Sequence, residues 1–279
     1  MFFVHGGGGV SGAGDMYDPT PLLREDVIVI TTNYRLGTLG FLNFGNDIVS
    51  GNMVIRDLLE GLKWSKNNIE FFGGDASRTI AFGQSAGSML THALHLTTKS
   101  EGLLSGAIAQ SGSVPMTSTK SDEGRTAAEI ALYLNCTDIA IDEAMLDCLQ
   151  QVSFQDIVIE TTPTGEVLTE DDIKYDWTNF LLAQDEYSSD PLFPVNPVLA
   201  LKNGVFNKVP LMIGKYFFFS FFFHNEPKNL YTKAYTMLQE QQHYRRSQER
   251  SHEYEIITLI LSAVCKMDKR FEQKCLSII

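Results

Sequence analysis

A strand-like run, a sharp glycine turn and a helix-like run follow one another directly in residues 79–94. Residues 79–82 are β-prone and apolar, residues 83–87 read Gly-Gln-Ser-Ala-Gly, and residues 88–94 have a helical pattern. Glycines two positions before and two positions after Ser85 remove side chains that would clash in such a turn. The pattern predicts a G-x-S-x-G nucleophile elbow, with Ser85 at a strand tip beside a helix N-terminus. A chance glycine–serine turn is the alternative, and the flanking runs argue against it.

A second glycine turn lies near the start of the chain, where residues 5–9 read His-Gly-Gly-Gly-Gly. Glycines let backbone N–H groups approach a substrate oxygen closely. The N–H groups of Gly7 and Gly8, with that of Ala86 after the predicted nucleophile, are therefore expected to form an oxyanion hole. A phosphate-binding loop is the alternative, but the turn lacks the Gly-Lys-Ser/Thr ending and does not match G-x-G-x-x-G. We expect His5 to be a structural part of this loop.

Strand-like and helix-like runs alternate along the first part of the chain. Residues 26–33 form a nearly continuous β-branched run, which is typical of a central parallel strand. Residues 55–67 carry apolar side chains at helical spacing, and residues 106–110 and 209–213 have the pattern of further strands. The alternation predicts an α/β fold with a mostly parallel, doubly wound sheet and flanking helices.

Charge and hydropathy exclude several classes of protein. The net charge is −12, which repels phosphate backbones and anionic lipids, so we expect no nucleic-acid partner. No run approaches the roughly 18 apolar residues that a membrane span requires, so we expect no transmembrane segment. The first residues lack the basic region and the cleavage site of a signal peptide.

The composition changes abruptly at about position 214. Residues 1–214 have a net charge of −15 and contain all 22 glycines, whereas residues 215–279 have a net charge of +3 and contain none. Six phenylalanines within residues 217–223 match neither the helical nor the amphipathic strand period. We therefore predict one domain over 1–214 and a divergent tail over 215–279 that is helical or disordered. A retained intron or a gene-model error after Gly214 is our hypothesis for the change, and sequencing the transcript across this point would test it.

With these motifs in place, the sequence resembles the type-B carboxylesterase and cholinesterase family, whose members have the α/β-hydrolase fold. The blocks that carry the resemblance are residues 5–8, 33–37, 40–42, 51–52, 56–57, 64, 68–69, 72–75, 83–87 and 109–112, with thinner similarity at 209–214. Gln84 is similar to its equivalent in juvenile hormone esterases and related insect carboxylesterases. The resemblance implies a partial α/β-hydrolase domain that is incomplete at both its N- and C-terminal sides.

The resemblance implies hydrolysis of a small-molecule carboxylic ester. Ser85 would attack the carbonyl, an acyl-enzyme would form, and water would release the acid, without a metal or an organic cofactor. A non-catalytic binding or adhesion protein on the same fold is the alternative, and the intact elbow argues against it. The sequence does not determine the oligomeric state.

The resemblance also shows what the sequence lacks. In the family an acid follows the equivalent of Gly214, and the base is a histidine in a Gly-x-x-His context. Neither pattern occurs here, so we expect the chain as it stands to be catalytically incomplete, with Glu226 and His252 as the remaining candidates. We expect His92 and His95 to be packing or surface residues.

Two cysteines and one asparagine give information on the cellular compartment of the protein. Cys136 and Cys148 match the spacing of a small-loop disulfide in the family, while two free thiols are the alternative in a cytosolic protein. Asn135 begins an Asn-Cys-Thr sequon, which predicts a glycosylation site. The resemblance implies that the full-length parent protein is secreted.

Overall fold

The computed structural model describes residues 1–114, 124–136, 140–161 and 182–214. All of these residues lie within one compact unit, Met1–Phe221. The predicted tail over 215–279 lies outside the described residues, and the division at 214 stays a prediction.

The described residues contain a five-stranded sheet in which every pairing is parallel. Its strands are β1 (Phe2–Val4), β2 (Ile30–Thr31), β3 (Ile80–Gln84), β4 (Gly106–Gln110) and β5 (Leu211–Gly214), in the order β2-β1-β3-β4-β5. Because consecutive parallel strands need a crossover, helices lie between most of them. The predicted α/β class with a parallel sheet is confirmed.

The predicted strand over residues 26–33 is much shorter in the structure. Only Ile30 and Thr31 pair with β1, opposite Phe2 and Phe3. The apolar residues before them are half-buried and extend past the end of β1, which itself has three residues. The predicted strand over 26–33 is therefore a strand over two residues only.

Eight α-helices accompany the sheet within the described residues. They are α1 (Thr20–Leu23), α2 (Gly37–Phe41), α3 (Met53–Asn68), α4 (Ala86–Leu96), α5 (Arg125–Tyr133), α6 (Glu143–Gln151), α7 (Phe154–Thr161) and α8 (Pro197–Lys202). The longest, α3, is amphipathic, because Ile55, Leu58 and Leu62 follow the helical period and are fully buried. The predicted helix over 55–67 is confirmed.

The main core joins the central strands to α3 and α4. Its fully buried side chains include Phe2 and Val4 from β1, Leu58 from α3 and Leu94 from α4. Packing α4 onto this core fixes the direction of its first turn, which follows Ser85 directly. The core thereby positions the predicted elbow.

A second cluster of buried apolar residues is formed mainly by α5, α6 and α7. A disulfide joins Cys136, just after α5, to Cys148 within α6. The pairing that the family resemblance implied is therefore present in the structure. None of the helices in the described residues is long and apolar enough to cross a membrane.

Candidate active site

Ser85 occupies the sharp turn between β3, which ends at Gln84, and α4, which begins at Ala86. Its backbone has φ 58° and ψ −125°, a conformation that L-residues rarely adopt. The Ser85 N–H donates to the Gln110 carbonyl at 2.9 Å, and the Ser85 carbonyl accepts the N–H groups of Ser88 and Met89. Strand β4 and the first turn of α4 thus hold the strained turn from both sides.

The glycines flanking Ser85 are needed because other backbone segments pass through the space of their missing side chains. A Cβ at Gly83 would collide with the carbonyl of Gly87, and one at Gly87 would collide with the carbonyls of Val4 and His5. The end of β1 therefore lies directly against the elbow. This close approach brings the N-terminal glycine turn to Ser85.

The glycine turn lies beside the predicted nucleophile. A Cβ at Gly6 would lie 2.7 Å from the Gln84 carbonyl oxygen and 3.2 Å from the Ser85 Cβ. Gly7 and Gly8 follow, with φ of 119° and 65°. Only glycine adopts such a succession of positive φ angles at low cost.

Backbone donors are available at this point. The N–H groups of Gly7, Gly8 and Ala86 have no hydrogen-bond acceptor among the residues that the structure describes. Ala86 is the first residue of α4, where N–H groups have no partner within the helix and the helix dipole favours negative charge. The arrangement can stabilise a developing oxyanion, and assigning this role to the three groups remains a proposal.

His5 is buried beneath the glycine turn, as we expected of a structural residue. Its ring stacks on that of Tyr34 with 4.2 Å between centroids, and its Nδ1 lies 2.8 Å from the Gly6 carbonyl oxygen. Because a carbonyl only accepts, Nδ1 carries the proton and donates it. Burial raises the pKa of the Tyr34 hydroxyl, so this hydroxyl stays protonated and can donate.

The two histidines of α4 are buried packing residues. His92 Nδ1 accepts the Val114 N–H at 3.1 Å, and burial lowers the pKa of His92 to about 3, with a smaller contribution from His95. His95 Nε2 lies 3.1 Å from the Val209 carbonyl oxygen, and burial also lowers its pKa. Both rings are therefore neutral at physiological pH.

No histidine or carboxylate in the described ranges forms a hydrogen bond with the Ser85 hydroxyl. Glu226 and His252, the candidates for the acid and the base, lie outside those ranges. The structure brings the turn that contains Gly7 and Gly8 against the elbow that contains Ser85 and Ala86, without a described residue that accepts the Ser85 proton.

Sequence reasoning missed the residues that support the glycine turn. Tyr34 donates to the His5 carbonyl at 2.5 Å, and Gly12 lies so close that a Cβ there would be 2.6 Å from His5 Nδ1. The signal was present, since residues 33–37 formed one of the blocks of the family resemblance. Their role was not apparent, because the contact spans 29 positions of the chain.

A cavity of about 480 Å³ lies away from the elbow. Its wall combines apolar residues of α2, α6 and α7, including Leu39, Leu149 and Phe154, with the side chains of Arg35 and Arg56. Both arginines are paired, with Asp57 and Asp190 respectively. Within the described residues, no group of three or more metal-ligating side chains is present.

A sequence model of the Carboxylesterase family matches residues 1–276. The chain belongs to the carboxylesterase family. The match confirms the resemblance carried by the glycine turn and the elbow, and it extends beyond the last described residue. Membership of the carboxylesterase family supports hydrolase chemistry as the family's activity and leaves the activity of this chain to be tested.

Individual carboxylesterase-family relatives are similar over about three quarters of the chain or more. The juvenile hormone esterase of Tribolium castaneum is 34% identical in an alignment of 230 positions that covers 77% of this chain and 37% of that protein. Neuroligin-2 of Mus musculus is 34% identical in an alignment of 211 positions that covers 72% of this chain and 25% of that protein. The solved structure of a PNB esterase superposes with a TM-score of 0.66 at 29% identity, covering 94% of this chain and 50% of that one. The chain therefore spans half or less of the length of these relatives.

Proposed function

We propose that the chain carries the nucleophile and the oxyanion hole of a carboxylic ester hydrolase, with Ser85 as the nucleophile. The observation that carries the proposal is the strained backbone of Ser85, held between β3 and α4. A costly conformation of this kind persists where surrounding structure enforces it, and such positions cluster at functional sites. The carboxylesterase family and its esterase members support the reaction class.

In the proposed acylation step, the Ser85 hydroxyl oxygen bonds to the ester carbonyl carbon while its proton passes to a base. The carbonyl π electrons move onto the oxygen, where the N–H groups of Gly7, Gly8 and Ala86 donate to it. Collapse of this intermediate breaks the ester C–O bond, and the alkoxide leaves with a proton. Water then attacks the acyl-enzyme by the same route and releases the carboxylic acid. The substrate is a small-molecule carboxylic ester, and the steps require no cofactor.

The base and its orienting carboxylate are the undetermined parts of this proposal. Glu226 and His252 remain its candidates. In subtilisin, loss of the catalytic histidine lowers kcat by about 10⁶. If the base is missing here, we therefore expect turnover of simple esters to be lost while Ser85 still reacts with activated reagents.

We expect a fluorophosphonate probe to label the chain and the substitution Ser85→Ala to abolish the label. A serine hydroxyl that has neither an activating base nor oxyanion donors beside it reacts poorly, so Ser105→Ala, just before β4, should keep full labelling. The measurement is probe incorporation by intact mass, with hydrolysis of a chromogenic short-chain ester followed in parallel. Equal labelling of the wild type and Ser85→Ala would contradict the proposal.

A binding or adhesion role on the same fold is the second candidate. It is favoured by the similarity to neuroligin-2 and by the lack of a described histidine at Ser85. A folded chain that neither labels at Ser85 nor hydrolyses esters would support this role.

We also propose that the full-length parent is secreted. The disulfide between Cys136 and Cys148 supports this, because disulfides persist in oxidising compartments. Asn135, the predicted glycosylation site, is exposed. Expression in a secretory host should give a glycosidase-sensitive mass that Asn135→Gln removes.

A further inference from the structure

We propose that Tyr34 is a positioning residue that holds the glycine turn beside Ser85 and thereby orients the N–H groups of Gly7 and Gly8. This inference rests on the proposed oxyanion role of those groups. Its basis is a set of contacts from three consecutive residues, Asn33, Tyr34 and Arg35, which follow β2. Each of them binds a different part of the structure around the turn.

Tyr34 holds the start of the turn. It is 7% exposed, its hydroxyl donates to the His5 carbonyl oxygen at 2.5 Å, and the hydroxyl oxygen also lies 3.3 Å from His5 Nδ1. The stacked rings restrict rotation of the His5 side chain. His5 immediately precedes Gly6, so the Tyr34 hydroxyl fixes the peptide from which the turn begins.

Asn33 holds the end of the same segment. Its side-chain carbonyl accepts the Gly14 N–H at 2.9 Å. Between these two anchors the turn closes on itself, because the Gly7 carbonyl accepts the N–H groups of Val10 and Ser11. The Gly7 and Gly8 N–H groups are thus left without a described acceptor while the segment's ends are tied down.

Arg35 connects this support to the core. Its guanidinium makes a bidentate pair with the carboxylate of Asp57 in α3, at 2.8 and 2.7 Å. The backbone N–H of Arg35 donates to the same carboxylate at 2.9 Å. Planar, bidentate pairs of this type add geometric definition as well as energy. The support therefore runs from α3 through Arg35 and Tyr34 to His5 and the turn.

The reason for such a support is physical. Glycine-rich backbone is the most flexible in the chain, whereas oxyanion donors act through a fixed geometry set before the reaction. The glycines permit close approach to Ser85, and a buried aromatic residue that follows β2 supplies the order that they lack.

The test compares Tyr34→Phe with Tyr187→Phe in the full chain. Tyr34→Phe keeps the ring stacking on His5 and deletes only the hydroxyl. Tyr187→Phe is the matched control, since it deletes a tyrosine hydroxyl that donates to the Asn43 side chain at 2.7 Å. Two readouts are measured on each: amide hydrogen exchange of residues 5–14, and binding of an alkyl trifluoromethyl ketone relative to the corresponding secondary alcohol.

The ketone accepts the Ser85 oxygen at its carbonyl carbon and becomes an oxyanion, with the serine proton released to solvent, whereas the alcohol cannot react. We expect Tyr34→Phe to weaken ketone binding about tenfold, a fraction of the cost of losing a whole oxyanion donor, and to leave alcohol binding unchanged. We also expect exchange in residues 5–14 to be about fivefold faster, as for one lost hydrogen bond. Tyr187→Phe should change neither readout.

The outcomes separate the two proposals. If the wild type prefers the ketone and Tyr34→Phe keeps that preference, the positioning role is overturned and the proposed function stands. Equal loss of ketone and alcohol binding would mean general loosening and would also overturn it. If the wild type does not prefer the ketone, the proposed function fails, and unchanged exchange in Tyr34→Phe would then overturn the inference independently.

Discussion

Ser85 and its glycine neighbours form a turn in which three backbone segments meet at close range. Gly87 lies against the last residues of β1, Gly83 against Gly87, and Gly112 against the Ser85 carbonyl. A side chain at any of the three glycines would meet backbone, which cannot rotate away. The small residues around Ser85 are therefore required by packing in addition to backbone conformation.

At the residue scale, we predict that Gly87→Ala destabilises the fold by about 3 kcal/mol, the upper range for overpacking, because its Cβ would collide with two carbonyl oxygens. The free energy of unfolding in urea measures this. Gly214→Ala is the control, since no heavy atom lies within 4 Å of the added Cβ in the described structure. Similar losses in the two variants would contradict the packing argument.

The buried histidines of α4 make stability depend on pH. Burial lowers the pKa of His92 from 6.5 to about 3 in the folded chain, so only the unfolded chain takes up a proton just below pH 6.5. The contribution of His92 to the free energy of unfolding is therefore fully favourable above pH 6.5. That free energy falls as the pH drops from 6.5 toward 3, because protonation then favours the unfolded chain. His95 has a pKa lowered in the same direction.

We predict that His92→Asn, which cannot titrate, reduces the dependence of unfolding free energy on pH between 6.5 and 5 by about 1 kcal/mol per pH unit. Chemical unfolding at several pH values measures the slope. Leu90→Ala on the same helix is the control, because it removes a buried side chain without removing a titrating group. An unchanged slope in His92→Asn would show that another group causes the dependence.

At the scale of elements, one disulfide and one set of buried polar contacts join separate segments of the chain. The disulfide ties the end of α5 to α6 beside the second apolar cluster. The buried side chains of Asn52 and Asp185 fasten the segment 182–193 to the N-terminus of α3, with Asn52 bonding the backbone of Ala183 in both directions. Links of this kind fix segments without regular secondary structure, which have no hydrogen bonds of a helix or a sheet to hold them.

We predict that the double substitution Cys136→Ser and Cys148→Ser lowers the stability of the α5–α6 region by about 3 kcal/mol, the loop-closure value for a crosslink of this span. Thermal unfolding with and without a reductant measures the effect. The double variant should no longer respond to reductant through this region. Identical unfolding of wild type and variant under oxidising conditions would contradict the prediction.

At the scale of the whole molecule, the sheet of the described residues has two outer strands, β2 and β5. Near β2, the end of α3 and the turn after it expose three aromatic side chains: Trp64, Phe71 and Phe72, the last two at 86% and 64%. Ile28, just before β2, lies under the same turn, since a Cβ at Gly74 would be 3.1 Å from it. Open strand edges and apolar patches of this kind promote association.

We predict concentration-dependent self-association of the chain that is reduced by the double substitution Phe71→Ser and Phe72→Ser. Sedimentation velocity at several protein concentrations measures it. Leu132→Ser is the control, because Leu132 is exposed to a similar extent, 63%, and lies on α5. Equal association of the control and the double variant would assign the interface to another surface.

Much of the fold could be predicted because its signals are local. The period of α3, the strand before Ser85 and the glycine spacing are each contained within a few residues, and each predicted the element found. The strand predicted over 26–33 was too long, since only Ile30 and Thr31 pair with β1. Pairing partners are chosen across the chain, so a local pattern gives the type of an element more surely than its ends.

The candidate site divides in the same way. Local motifs were enough to predict that Ser85 is at a strand–helix turn, that Gly7 and Gly8 are in a flexible glycine turn, and that the chain resembles carboxylesterases, because each motif is contiguous. The folded arrangement was needed to show that the end of β1 lies against the elbow, which brings the glycine turn to Ser85, and that Tyr34 and Asn33 contact the two ends of the turn segment. Those contacts join residues tens of positions apart, and their geometry is set by how the strands and α3 pack, which a local sequence pattern does not encode.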